Sequence, residues 1–249
     1  MKLLFLGTGT STGVPQIGCH CKVCQSTDTK NKRLRSSALL TVGDTRLLFD
    51  CGPDFRQQAL RHNIGHVTAI LLTHEHYDHV AGLDEIRPMR KAWVYAEKRV
   101  LQVVQRSMPY IFADTPYPGA PTIYLHEINP SEKFFVDKVE IQPIRMFHDR
   151  LPVLGFRIAS MAYLTDFSRI DEADLEKLKG LDVLVVDALR QFPHPAHFML
   201  SETLELIKKI QPKVSYLMHL SHDMGLHEEV QATLPPNVFI AYDGLQIKI

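Results

Sequence analysis

Short apolar runs, broken by glycine, proline or polar clusters, set the pattern of this chain. Residues 2–7 are an apolar run of strand length, and the Gly and Pro content of residues 8–18 predicts a loop. Ser37–Val42 and Thr45–Asp50 form a predicted strand pair, with Gly43-Asp44 at the turn. A short helix is predicted over Phe55–His62 behind Pro53, and a buried strand over Ala69–Thr73. A further helix is predicted from Ala81 to about Arg87. Trp93–Ala96 is strand-like, Glu97–Met108 has helical spacing, and four prolines make residues 109–121 a loop.

The second half continues in the same style. Lys138–Phe147, Val153–Ala159, Met161–Leu164, Val183–Asp187 and Val214–His219 predict strands. Helices are predicted over Asp171–Leu178, Ser201–Ile210 and His227–Leu234, and final strands over Val238–Ile240 and Gln246–Ile249. Several neighbouring strands are spaced as hairpins. That pattern predicts sheets sandwiched between helices rather than a simple parallel sheet. No sequence repeat, low-complexity tract or linker is visible, so residues 1–249 are expected to form a single domain.

Composition changes this picture little. Hydrophobic residues make up 45% and charged residues 22%, which is ample core material for a globular chain. The formal net charge is zero, which argues against binding long nucleic acid through a basic face. The opening apolar run is cut by Gly7-Thr8-Gly9-Thr10, too early for a signal peptide. No segment approaches the ~20 apolar residues of a membrane helix. A cytoplasmic protein is expected, without a membrane partner, and a homodimer is the default assembly. Its cysteines are then thiols or metal ligands rather than disulfides.

The candidate chemistry starts at His74-Glu75-His76-Tyr77-Asp78-His79, where three imidazoles and two carboxylates follow an apolar strand. Residues two apart in extended chain project to one side, so His74 and His76 can grip one ion. Asp78 and His79 then turn toward a second. Further ligands recur at predicted strand ends: His148, Asp166 and His219, with Asp166 as a bridging carboxylate. Two divalent ions, Zn or Mn, fit such mixed His and Asp shells.

The segment from Leu72 to Leu83 closely resembles the signature of the metallo-β-lactamase superfamily. Leu48-Phe49-Asp50-Cys51-Gly52 resembles the strand and turn that precede it. Phe147-His148, Leu164-Thr165-Asp166 and Met218-His219 resemble its later motifs, in order. The resemblance spans nearly the whole chain. It implies an α/β fold, the αβ/βα four-layer sandwich, with two metals at one edge.

Cys19-His20-Cys21-Lys22-Val23-Cys24 supplies three thiolates, one ligand short of a tetrahedral structural zinc, and His222 would complete it. This arrangement resembles the PhnP-like branch of the superfamily, phosphodiesterases acting on phosphoribosyl 1,2-cyclic phosphate. Those proteins are similar to tRNA 3′-processing endonucleases (RNase Z) without the tRNA-gripping arm, and residues 88–135 hold no long basic protrusion. The resemblance implies a general-acid histidine just before the helix at Ser201. That points to His197, with His194 as the nearby alternative. Arg35, Ser36 and Ser37 are candidates to touch phosphate, and Cys51 reads as a small core residue.

The expected reaction is hydrolysis of a small phosphodiester, cyclic and ribose-linked, by hydroxide held between two metals. His74, His76 and His148 would hold one ion, Asp78, His79 and His219 the other. Asp78 would also orient the nucleophile. An RNA 3′-processing endonuclease, a thioester or lactam hydrolase and a catalytically silent metal scaffold are the alternatives.

Overall fold

A computed structural model describes residues 1–249. Its strands form two mixed sheets. The first holds β1 (Lys2–Gly7), β2 (Ser37–Val42), β3 (Thr45–Phe49), β4 (Ala69–Leu71), β5 (Lys91–Ala96) and β6 (Thr122–Glu127). The second holds β7 (Phe134–Val136), β8 (Val139–His148), β9 (Leu151–Ile158), β10 (Met161–Leu164), β11 (Arg169–Ile170), β12 (Val183–Asp187), β13 (Val214–Met218) and β14 (Val238–Ile240). The last strand, β15 (Gln246–Lys248), returns to the first sheet beside β1.

Strand alternation builds three cores between four layers. In β4, Ala69 and Leu71 face the second sheet, where they join Phe156, Tyr163 and Val185. Ile70 and Leu72 face outward onto Phe55, Val80 and Val104. On the far side, Leu184 and Val186 of β12 pack under Leu206, Ile207 and Val230 from helices 200–210 and 227–231. The result is the αβ/βα sandwich, a metallo-β-lactamase fold.

The two sheets share one pairing pattern. β1–β2 and β2–β3 are antiparallel, and β3–β4, β4–β5 and β5–β6 are parallel. In the second sheet β8–β9 and β9–β10 are antiparallel, and β10–β12, β12–β13 and β13–β14 are parallel. Just beyond the third strand of each series stands an aspartate with left-handed backbone, Asp50 (φ 56°) and Asp166 (φ 54°). This repeat lives in backbone pairing, which tolerates many side chains, so no sequence repeat announces it.

Several predicted elements differ. The helix expected from Ala81 is a single turn at Tyr77–Val80 followed by a 3-10 segment, Leu83–Met89. Pro88 sits inside that segment and removes a backbone donor that an α-helix would use. Strands β6 and β7 carry no prediction. β6 is an edge strand, with Tyr124, His126 and Glu127 exposed, so it lacks a continuous apolar run. No helix is long and apolar enough to cross a membrane.

A buried polar network ties the two chain ends together. The Arg33 guanidinium donates to Thr8 Oγ1 at 2.8 Å and to the Ala241 carbonyl at 2.6 Å. Its Nη2 lies 3.3 Å from His227 Nδ1, which must therefore be the neutral acceptor. Burial, then the Arg33 charge, pulls His227 down to about 4. An unfolded histidine titrates near 6.5. Between those values the unfolded chain binds a proton that the folded chain refuses. Stability from this site is complete above pH ~6.5 and is lost as pH falls toward 4, by at most about 3 kcal/mol. His227→Gln keeps an acceptor and does not titrate. Its melting temperature is expected to fall less steeply across that window than that of the unsubstituted protein. Parallel profiles would rule this role out.

Candidate metal centre

Five strands deliver polar residues to one edge of the sandwich. β3 leads into Asp50, β4 into Thr73 and His74, β10 into Asp166, β12 ends in Asp187, and β13 leads into His219. Buried side chains are held there by backbone geometry. The turn Tyr77–Val80 carrying Asp78 and His79 docks on the turn after β3. Cys51 N–H donates to the His79 carbonyl and Gly82 N–H to the Cys51 carbonyl, both at 2.8 Å. A methyl group on Gly82 would sit 2.0 Å from the Gly52 carbonyl oxygen, and one on Gly52 2.0 Å from the Asp78 carbonyl oxygen. Only glycine permits this approach. Gly82→Ala is expected to push the turn outward and weaken metal affinity about 10–100-fold. A chelator titration measures this, and unchanged affinity would count against the docking role.

The sequence-predicted ligands converge. Asp166 Oδ1 lies 2.9 Å from His219 Nε2, and Oδ2 lies 3.2 Å from His79 Nε2 and 3.7 Å from His74 Nε2. Asp78 Oδ2 lies 3.2 Å from His79 Nε2 and 3.9 Å from His219 Nε2. Two groups of potential ligand atoms therefore meet at one carboxylate: Asp78, His79, Asp166 and His219 on one side, and His74, His76 and Asp166 on the other. The His148 ring stands 5.2 Å from that of His76 and 5.9 Å from that of His74. Its ligand nitrogen also groups with Asp166 and His197.

Outer contacts set which nitrogen faces inward. His79 Nδ1 donates to Asp50 Oδ2 at 2.7 Å, and His148 Nδ1 donates to the Ala196 carbonyl at 2.7 Å. Each ring then presents an Nε2 lone pair to the centre. Asp50 is further held by Thr73, whose N–H donates to Oδ1 at 2.8 Å. Asp187 stands between two rings, 3.3 Å from His197 Nδ1 and 3.4 Å from His219 Nδ1. Asp50 and Asp187 are missing from the sequence-predicted site. The one signal for Asp187 is a buried strand that ends in Asp, which is too common to single it out, and Asp50 lies within the Leu48–Gly52 resemblance without a role assigned to it.

The electrostatics ask for positive charge. Burial depresses His74, and also His76 and His148. At His79 and His219 burial acts in the same direction, but Asp166 and the other carboxylates outweigh it and hold both rings well above the ordinary range. Against burial, the same imidazoles hold Asp78 and Asp166 below the usual carboxylate range. The buried atoms His74 Nε2, His79 Nε2, His219 Nε2 and Asp78 Oδ2 have no hydrogen-bond partner. Orphaned lone pairs converging on a carboxylate fit divalent cations.

A second ligand cluster joins the N-terminal loop to the C-terminal segment. Cys19 and Cys21 Sγ lie 3.2 and 3.4 Å from His222 Nδ1, and Cys24 completes the group. Nitrogen and sulfur ligands of a tetrahedral zinc lie about 3.5 Å apart, so the spacing fits. The Cys24 backbone N–H pulls Cys21 down to about 6, while burial pushes Cys24 up to about 11. All four cysteines are unbridged, and Cys51 is fully buried in the core.

The candidate phosphate contacts are otherwise engaged. Ser36 Oγ donates to the Gly9 carbonyl and Ser37 Oγ to the Phe49 carbonyl, both from buried positions. Arg35 pairs with Asp54 at 3.0 Å and donates to the Ser11 carbonyl. These side chains staple the N-terminal loop to the sheet.

Residues 45–220 match the family profile of the beta-lactamase superfamily domain. With the fold and the ligand-rich sheet edge described above, this chain belongs to the metallo-β-lactamase superfamily. It is similar to a solved diphosphatase from the PhnP family, at 38% identity and TM-score 0.93, over 100% of this chain and 97% of that one. It is also 45% identical to an octanoyltransferase of Porphyromonas gingivalis strain W83, over 99% of this chain and 51% of that protein. The chain thus spans about half the length of that relative. Human tRNase Z, short form, shares the fold at 20% identity and TM-score 0.73, over 100% of this chain and 99% of that one.

Proposed function

We propose that this metal-dependent hydrolase cleaves small phosphodiesters, with a cyclic, ribose-linked ester as the expected class. The observation that carries this reading is one buried carboxylate, Asp166, shared by two ligand groups, with the His197 ring at the same centre. The similarity to a PhnP-family diphosphatase supports phosphoryl chemistry. His74, His76, His148 and Asp166 would hold one divalent ion, and Asp78, His79, His219 and Asp166 the other. Two such ions lower the pKa of water and neutralise the non-bridging oxygens of a phosphoryl group.

The residues divide the remaining work. Asp78, with Oδ2 uncommitted, orients the attacking water. Asp187 accepts from His197 Nδ1, which leaves Nε2 as the proton donor toward the centre. As the bond from phosphorus to the leaving oxygen breaks, that oxygen takes the His197 proton. His194 is more exposed and stands behind His197, with ring centroids 5.0 Å apart. That favours His197 as the acid.

The cysteine knuckle would hold a structural zinc and brace the segment that carries His219. Cys24→Ser is expected to lose one zinc per chain and lower the melting temperature, while the catalytic pair stays loaded. Full zinc retention would exclude the knuckle as a site. Free thiols suit the expected cytoplasmic setting.

The deciding experiment is hydrolysis by metal-analysed protein of bis-p-nitrophenyl phosphate, 2′,3′-cyclic nucleotides, a ribosyl 1,2-cyclic phosphate and an octanoyl thioester. Metal-dependent cleavage of the phosphodiesters is expected. Cleavage of the thioester alone would overturn the reading in favour of acyl chemistry, which the name of the longer relative suggests for that protein.

A further inference from the structure

Beside the metal centre, the turn after β8, the segment after β10 and the loop before helix 200–210 enclose a cleft of about 370 Å³. Asp149, Ser168, Arg169, His194 and Glu202 line it, and His197 forms the wall shared with the centre. The volume is at the lower end of small-molecule sites.

The polar atoms lining it are mostly acceptors. Asp149 directly follows His148. Its backbone N–H donates to Ser168 Oγ at 3.2 Å, but no hydrogen bond or ion pair engages its carboxylate. His194 Nδ1 accepts from Ala196 N–H at 3.2 Å, which places the ring proton on Nε2 as an uncommitted donor. Glu202 spends one oxygen on Met199 N–H at 2.9 Å and keeps the other. The one guanidinium, Arg169, lies 3.7 Å from the Phe147 ring centroid and is paired with Asp171. Such a lining favours hydrogen-bond donors that bring no negative charge.

The geometry points to this cleft as the leaving-group subsite, selective for a neutral, hydroxyl-rich alcohol, with Asp149 and His194 as its specificity-determining residues. This rests on the phosphodiesterase reading above. The leaving oxygen takes its proton from His197, so the departing alcohol must lie beside that ring. The cleft begins there. Hydroxyl groups of the alcohol donate to the Asp149 carboxylate and accept from the His194 Nε2–H. An acidic group in the same place would face two carboxylates.

Symmetric dialkyl phosphates leave no doubt about which group departs. Metal-loaded protein is given bis-(2,3-dihydroxypropyl), dipropyl and bis-(2-carboxyethyl) phosphate, with bis-p-nitrophenyl phosphate as the reference for phosphodiesterase activity. The dihydroxypropyl ester is expected to exceed the dipropyl ester in kcat/KM by at least about tenfold, the effect of one hydrogen bond to a charged group. The carboxyethyl ester should be the poorest. Asp149→Ala should shrink the diol preference, mainly through KM. Asp149→Asn, which tolerates the positive φ of this position (54°), should relieve the discrimination against carboxylate. Metal content and melting temperature accompany each variant. Cleavage of the reference diester without a diol preference, or with none of the alkyl esters cleaved, overturns the subsite. A preference that survives in Asp149→Ala and in His194→Ala overturns the residue assignment. Silence on all four diesters overturns the subsite, and cleavage of the cyclic esters by the same preparation shows separately whether the phosphodiesterase reading stands.

Discussion

Asp166→Ala is expected to lower turnover by at least about 10³-fold and to reduce metal content at both positions. The carboxylate is almost fully buried, and its two oxygens face different imidazoles: Oδ1 faces His219, and Oδ2 faces His79 and His74. Removing it takes a ligand from each group at once. It also leaves three buried Nε2 atoms converging without a carboxylate partner, which raises the cost of keeping them together. Asp166→Asn separates charge from volume, because it fills the same space without the anion. A loss with Asn comparable to that with Ala assigns the effect to charge. Metal analysis and turnover of bis-p-nitrophenyl phosphate provide the measurement. Two ions retained at near-native turnover would show that Asp166 does not bridge.

His197→Ala is expected to cut turnover of an alkyl phosphodiester by about 10²–10⁴-fold while the metal content stays intact. The contacts predict a dependence on leaving group. p-Nitrophenolate departs without help, so the same substitution should cost far less on bis-p-nitrophenyl phosphate. Ring removal spares the backbone, so the Ala196 carbonyl can still hold His148 Nδ1. Loss of metal in the variant would make His197 a ligand, an arrangement its grouping with His148 and Asp166 permits. Equal losses on both substrates would make it a positioning residue. Asp187 separates these cases further, since it contacts both His197 and His219. Asp187→Asn should reproduce the leaving-group dependence if orientation of the acid is its main task.

The candidate ligands were legible because their signal is local. His74, His76, Asp78 and His79 fall within one strand end and one turn, where spacing alone decides which way side chains project. His148, Asp166 and His219 each follow a recognisable apolar run. The three cysteines lie within six residues. Asp50 lies in a segment that resembles the family pattern, but nothing local gives it a role. It reaches His79 across 29 positions of sequence, and Asp187 gains its role only when β12 and β13 lie side by side. For Ser36, Ser37 and Arg35 the residue types say less than the packing does. Their residue types suit phosphate, but the packed loop had already engaged them with carbonyls and Asp54. Strand β6 went unseen because half of an edge strand faces water, which dilutes the apolar pattern.

By itself the sequence determined the layered α/β architecture, the ligand types and the order in which they arrive along the chain, because strand period and ligand chemistry are properties of short segments. Only the tertiary structure decided that Asp166 is common to both ligand groups, that Asp50 and Asp187 orient the imidazoles, and that a carboxylate-lined cleft opens beside His197. Those facts depend on which strands become neighbours and how closely Gly52 and Gly82 let two turns approach. Pairing between distant segments leaves no local trace in the chain.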